Sequence, residues 1–269
     1  MRRIKVFAAS VGSAFGRQAE NYGDNLMTPL LRELFNVEPL FVKMGQAELI
    51  GIGSILDAYD RRRKPAWKRF VAGVGRPALH AWGSGFMNSD GAAIWPQALK
   101  VHAVRGPLSA GKIGQRGLAL GDPALLLPLI WQKPQRATAE VALVPHFATY
   151  TDFVARWSTA LPAHWTIVDL LGDPEAITAQ IAGADLVASS SLHGLIIADA
   201  YDTPSVRLVG DGKIKGDGFK YNDYEGFRGA PLLDAVTPEA LLAGAYTANA
   251  PRPMSEQARD ALLAAFPFR

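Results

Sequence analysis

The sequence predicts an α/β protein built from two Rossmann-like domains that face each other across a cleft. Three observations carry that prediction. Apolar runs of strand length alternate along the chain with segments of helical periodicity, the pattern of parallel strands covered by helices. The alternation breaks once, at the polar, proline-containing WQKPQRATAE (residues 131–140), and then restarts. The 269 residues suit two domains of ordinary size. The domain boundary is therefore placed between 133 and 134, giving domains 1–133 and 134–269.

The elements follow in order. IKVFAAS opens as a strand at residues 4–9. Its basic start and apolar follow-on are read as that strand and not as a secretory leader, because the apolar part is short and soon meets GRQAENYGD. GDNLMTPLLRELFN sets Leu26, Leu30, Leu31, Leu34 and Phe35 at helical spacing, with Asp24 as a candidate N-cap. AELIGIGSIL reads as a strand running into glycines and then a helix. ALHAWGSGFM is a strand ending in glycines. LKVHAVRG is a short strand, and Pro107 starts the helix PLSAGKIG. LALGDPALLLP is a strand and a turn. After the break, VALVPHF is a strand, a helix follows near 150–161, WTIVDLL is a strand and DPEAITAQIAGA a helix. DLVASSS is a strand, LHGLIIADAY a helix and PSVRLVG a strand. SEQARDALLAAF (255–266) is a final helix capped by Ser255.

Composition narrows the function classes. Hydrophobic residues make up 49% of the chain and charged residues 20%, which is enough core for a globular protein and excludes a disordered one. There is no cysteine, hence no disulfide, thiolate nucleophile or thiolate metal site. No apolar run reaches the roughly 18 residues that span a bilayer, and a cytoplasmic location is expected. The net charge is a mild +3, but RRRKPAWKRF (61–70) holds six basic residues in ten, with Trp67 and Phe70 interleaved. That segment reads either as a solvated basic face or as a contact with an anionic membrane surface. No helix-turn-helix, RNA-recognition or zinc-finger pattern accompanies it, so nucleic acid is not expected as a partner.

Ligands of such sheets sit beyond the carboxyl ends of the strands. The residues there are Asn21, Asp24, Gly51, Gly53, Ser54, Gly83, Ser84, Gly85 and Arg105 in the first half, and His146, Ser189, Ser190, Ser191 and His193 in the second. GIGSIL carries Leu56 where a dinucleotide fingerprint needs its third glycine, which argues against NAD. DLVASSS turns straight into LHGLIIADAY, so three serines and His193 gather at a helix N-terminus, an anion-favouring place. Gly194 allows close approach of a ligand or a strand. The structural alternative for His193 is a cap on its own helix.

SSSLHGLIIADAYDTPSVRL resembles the serine-x-leucine-histidine-glycine segment of the polysaccharide pyruvyltransferase family. NYGDNLMTPLL resembles that family's asparagine-x-glycine-aspartate segment. VHAVRGPLSAGKIGQRGLALGDPALLLP resembles its arginine-glycine-proline and glycine-aspartate-proline segments. VPHF, GFKYNDYEGFRG and LLAAFPF resemble the subgroup that makes pyruvate ketals on bacterial exopolysaccharides, of the xanthan and succinoglycan type. The matches run in the same order from residue 21 onward. The resemblance implies a glycosyltransferase-B-like arrangement of the two domains. It also implies transfer of pyruvate from phosphoenolpyruvate to two sugar hydroxyls, with release of phosphate. Phosphoenolpyruvate is the donor substrate, and neither a redox cofactor nor a metal is expected. The acceptor implied is a lipid-linked oligosaccharide on the cytoplasmic leaflet, which gives 61–70 a task at the inner face of the membrane. Domain 1–133 would take the acceptor and domain 134–269 the donor.

Within that chemistry His193 is the first candidate for acid/base and His146 the second, with a loop cap as its structural alternative. Asp24 would orient or deprotonate the sugar hydroxyls, or else cap its helix, and Asn21 would bond the sugar. Arg105 can hold an anion bidentately; its structural alternative is a salt bridge at a strand end. Ser189, Ser190, Ser191, Leu192 and Gly194 form the other anion site. Many relatives carry arginine where this chain has Ser191, so a cation is sought elsewhere: Lys220 first, then Arg207 or Arg228. Tyr221 and Tyr224 would stack on a sugar, or else belong to the core. Asp122 is expected to shape a turn, and His80, His102 and His164 are read as structural, without companions. Two rival readings share the architecture: a nucleotide-sugar glycosyltransferase and a non-catalytic carbohydrate- or anion-binding protein.

Overall fold

The computed structural model describes residues 1–8, 22–58, 74–210 and 216–269. Asn21 and the basic segment 61–70 lie outside the described residues. The strands, in chain order, are β1 (Arg2–Phe7), β2 (Val37–Phe41), β3 (Leu49–Ile50), β4 (Leu79–Ser84), β5 (Leu99–Val104), β6 (Ala119–Leu120), β7 (Ala139–Val144), β8 (Trp165–Ile167), β9 (Ala184–Ser189) and β10 (Ser205–Arg207). The helices are α1 (Tyr22–Asn25), α2 (Met27–Phe35), α3 (Pro107–Ile113), α4 (Tyr150–Trp157), α5 (Pro174–Ala182), α6 (Leu192–Ala200), α7 (Phe219–Arg228), α8 (Pro238–Leu242) and α9 (Glu256–Ala264). The chain forms two compact units. One comprises Met1–Pro123, Gly216–Ala230 and Ser255–Arg269; the other comprises Ala124–Lys215 and Pro231–Met254.

The first unit holds a sheet in the order β2-β1-β3-β4-β5-β6, with every pairing parallel. The order reverses between β1 and β3, which makes the space beyond their carboxyl ends the natural ligand crevice. Both faces are covered. On one, Phe7, Ile50, Leu79, Ala81, Phe86 and Val104 form a buried cluster, with Ala110 and Ile113 of α3 and Phe219 of α7 packed on it. On the other, Trp82 of β4 meets Phe35 of α2 and Phe266, and its Nε1 donates to the Leu262 carbonyl of α9 at 2.8 Å. Two returning helices, α7 after the first segment of the second unit and α9 after its second, thus complete the first. The boundary expected at 133/134 takes no account of these returns.

The second unit repeats the plan with four parallel strands in the order β10-β9-β7-β8, and its reversal lies between β7 and β9. Val141, Leu143, Leu186, Ala188, Val206, Leu208 and Leu241 fill one face. On the other face α6 lies on β9, and most of its residues are buried, as its nearly unbroken apolar run requires. Local caps follow the sequence: Asp173 accepts from Ala176 N at 2.9 Å, and Ser255 from Ala258 N at 3.2 Å.

Two local expectations change, and one strand is added to those read from sequence. Asp24 lies inside α1 and does not cap α2, whose N-cap position is Leu26. After Ile50 the chain runs in bends and turns through residue 58 instead of entering a helix directly. VEPLF, broken by Pro39, forms β2; the proline is tolerated because β2 is an edge strand.

Candidate active site

In the second unit, residues from two strand ends meet at the β7/β9 reversal. His146 follows β7 by two residues. Its backbone N–H donates to Ser190 Oγ at 3.0 Å, tying the end of β7 to the turn after β9. Its Nδ1 accepts from Ala148 N at 3.3 Å, which caps the short 3-10 turn Phe147–Thr149. A neutral imidazole with an accepting Nδ1 carries its proton on Nε2. The loop-cap role and a proton-donating role therefore use different nitrogens.

Ser189 is fully buried and committed to the fold. Its hydroxyl faces the carbonyls of Val144 and Ser191 at 2.9 and 2.8 Å, and its oxygen accepts Ser191 N–H at 3.0 Å. Gly194 is required by packing on the strand: a methyl group there would overlap Ser189 Oγ and lie 3.1 Å from Val144 Cγ1. This contact brings the start of α6 down onto the end of β9. Ser191 sits extended at the N-cap (φ −95°, ψ 133°), and its hydroxyl makes no capping bond. The positive end of α6 thus lies at the turn after β9 with no capping bond from Ser191. Leu192 is buried, and His193, second in the helix, is half-buried. In β10, Arg207 pairs in register with Ser189, so a guanidinium-bearing residue stands level with the turn.

In the first unit, Asp24 (2% exposed) stands at the β1/β3 reversal. Its Oδ1 lies 3.6 Å from the point where a Gly53 side chain would begin. The Gly53 carbonyl is held from below by Ser84 Oγ at 2.9 Å and Gly85 N at 3.0 Å. Lys220 and Tyr221 lie on α7, both largely buried, with Lys220 Nζ 5.2 Å from the Tyr221 ring centroid. Tyr224 is fully buried, 6.3 Å from the Phe227 ring. Arg228, on the same helix, donates from Nη1 to the Ala230 carbonyl at 3.1 Å. Of the cations considered for the position of Ser191, Arg207 shares its unit, whereas Lys220 and Arg228 belong to the first.

Arg105 is 1% exposed and its guanidinium is engaged on every edge. Nε donates to Asp223 Oδ2 at 3.1 Å and Nη2 lies 3.1 Å from the same oxygen. Nη1 donates to Ser54 Oγ at 2.6 Å and Nη2 to the Phe86 carbonyl at 3.0 Å. Asp223 was not among the residues singled out from sequence. Its signal was an acidic residue inside an aromatic stretch, FKYNDY. Asp122 is buried beside Gly121 (φ 138°) at the bend into the Pro123–Leu129 turn.

Three histidines read as lacking companions have them. His80 Nδ1 and His102 Nε2 are 2.8 Å apart with stacked rings, and burial lowers both pKa values; for His80 the neighbouring His102 lowers it further. His164 Nε2 lies 2.7 Å from Glu140 Oε2. Among the described residues no group of three or more His, Asp or Glu side chains is placed to hold a metal ion, and no helix is long and apolar enough to cross a membrane.

A sequence model of the family described as polysaccharide pyruvyl transferase matches residues 21–212, well over half of the chain. Succinoglycan biosynthesis protein ExoV of Rhizobium meliloti (strain 1021) is 25% identical over 277 residues, covering 90% of this chain and 76% of that protein. Among solved structures, E. coli heptosyltransferase WaaC with ADP-2-deoxy-2-fluoro heptose aligns with 80% of this chain and 91% of its own, at 14% identity and a TM-score of 0.31.

Proposed function

The chain belongs to the polysaccharide pyruvyl transferase family, and from that membership we propose that it moves pyruvate from phosphoenolpyruvate onto two hydroxyls of one sugar, closing a cyclic ketal and releasing phosphate. The likeness to a succinoglycan biosynthesis protein supports an exopolysaccharide, or its lipid-linked repeat unit, as acceptor. The observation that carries the reading is the bond from His146 to Ser190 at the β7/β9 reversal, next to Ser191 and His193 at the start of α6.

An acid adds a proton to the methylene carbon of phosphoenolpyruvate, and C2 becomes an oxocarbenium-like centre. The first sugar hydroxyl attacks C2 and gives up its proton to a base. Phosphate then leaves by cleavage of its bond to C2, taking up a proton. The second hydroxyl attacks, loses its proton, and the ketal closes. His193 is the acid/base, with His146 the alternative donor through Nε2. The α6 N-terminus, Ser190 and Ser191 take one anionic group of the donor, and Arg207 supplies a cation at that rim. Ser189 frames this turn and Gly194 lets it close on β9, so both act on the ligand through geometry. Asp24 orients the acceptor hydroxyls in the first unit. Asn21 remains a candidate for the sugar, as does Tyr221.

The test is phosphate release from phosphoenolpyruvate with galactose-, glucose- and mannose-ended acceptors, in the wild type and in His193→Ala. Acceptor-dependent release that falls about 10²–10⁴-fold in the variant is expected for a lost acid/base. Release that survives the change moves the role to His146. A wild type that binds no phosphoenolpyruvate by calorimetry, but binds a nucleotide sugar, refutes the proposal.

A further inference from the structure

The geometry points to Arg105 as a positioning residue: with Gly106 and Pro107 it forms the seat on which α7 docks, and it does not hold the donor's anion. Its bearing on catalysis rests on the reading above. Each residue of this Arg-Gly-Pro run meets α7. Arg105 pairs with Asp223, both at or below 1% exposure. A side chain on Gly106 would overlap the Asp223 carbonyl oxygen, so the helix backbone lies directly on the loop. A side chain on Gly226 would begin 2.6 Å from Pro107 Cγ. Positions 223 and 226 are three apart and share one helix face.

Asp223 is the hub of the seat. Its Oδ1 accepts Ser109 N at 2.8 Å and its Oδ2 accepts Ser109 Oγ at 2.6 Å. It therefore closes the first turn of α3, whose N-cap residue, Gly106, has no side chain to do so. On its other side the Arg105 guanidinium holds Ser54, the neighbour of the Gly53 that Asp24 packs against. One planar fork thus locks the Asp24 corner and α7 into a single register, a task that lysine's single ammonium cannot reproduce. Lys220 stands three residues before Asp223, so the seat sets where its ammonium lies. A donor anion at Arg105 would have to approach a buried carboxylate and break its pairing, leaving that charge uncompensated.

The variants are Arg105→Lys, Asp223→Asn and Gly226→Ala; the last disturbs the seat without touching the ion pair and serves if Arg105→Lys does not fold. Hydrogen exchange is expected to quicken at least tenfold across 219–228 in all three, with β7 and β9 unchanged. Calorimetry should find phosphoenolpyruvate affinity within about threefold of wild type. In phosphate-release assays with the best acceptor of the panel, Arg105→Lys should lower kcat with the KM for phosphoenolpyruvate unchanged. Lys220→Met added to Arg105→Lys should cost less than the sum of the two single changes. Additive losses overturn the positioning role. Arg105→Lys that weakens phosphoenolpyruvate tenfold or more, with α7 exchange unaltered, overturns the inference and makes Arg105 a ligand. If the wild type binds no phosphoenolpyruvate, the functional reading falls while hydrogen exchange still decides whether the seat exists.

Discussion

Replacing Gly194 by alanine sets two physical effects against each other. Helix propensity alone favours alanine by about 1 kcal/mol in a helix interior. At this position the new methyl would overlap Ser189 Oγ, lie 2.8 Å from Ser189 Cβ and 3.1 Å from Val144 Cγ1. Overpacking of that kind costs roughly 1–3 kcal/mol. Relief by rotating Ser189 would break hydrogen bonds of a fully buried hydroxyl, at about 1–3 kcal/mol. Rotation leaves the contacts with Ser189 Cβ and Val144 Cγ1 in place, so the two penalties add, and less the propensity gain the balance is a loss of roughly 1–5 kcal/mol, or at least about 2–4 °C in Tm. Scanning calorimetry of Gly194→Ala, Ser189→Ala and the double variant measures it. The double variant should be less destabilised than the sum, because the oxygen that the methyl overlaps is gone. A Gly194→Ala protein as stable as wild type, or more so, would mean that propensity wins and that α6 does not rest on β9 as described. Phosphoenolpyruvate affinity should fall with stability, since His193 adjoins the displaced residue.

Two further outcomes are expected. His80 and His102 have folded pKa values below the ordinary 6.5, so the unfolded chain binds protons that the folded one refuses. Their contribution to stability is complete above about pH 6.5 and is lost as pH falls from there through the folded values. The denaturant midpoint should drop between pH 7.5 and 5, and His80→Gln with His102→Gln should flatten that slope; an unchanged slope removes the pair as its cause. Neutralising Arg61, Arg62, Arg63 and Lys64 should reduce co-sedimentation with phosphatidylserine-containing vesicles by tenfold or more, at about 1 kcal/mol per basic residue near the surface, and equal binding would remove the membrane role of that segment.

What could be read in the chain was what is local. The strand-end serines, the start of α6 and the cap at Ser255 depend on neighbours within a few residues, and each stands where the pattern places it. Arg105 could be located at a strand end by the same reasoning, but its partner Asp223 lies 118 residues away. The helix that carries Asp223 was itself invisible to periodicity. FKYNDYEGFR buries Lys220, Asp223 and Arg228 along with its tyrosines, so its inward side does not look apolar. His80 and His102 meet only because β4 and β5 are neighbours in the sheet. Asp24 reads as the cap of α2 because its own helix, four residues long, is too short to show a period.

The return of α7 and α9 to the first sheet also orders events during synthesis. The second unit has all of its chain once Met254 is made, whereas the first still lacks Ser255–Arg269. Until Leu262 and Phe266 emerge, Trp82 lacks its bond to the Leu262 carbonyl, and Trp82 and Phe35 lack the Phe266 ring. The unit begun first is therefore finished last, and a nascent chain released early exposes an aromatic surface that chaperones and proteases recognise.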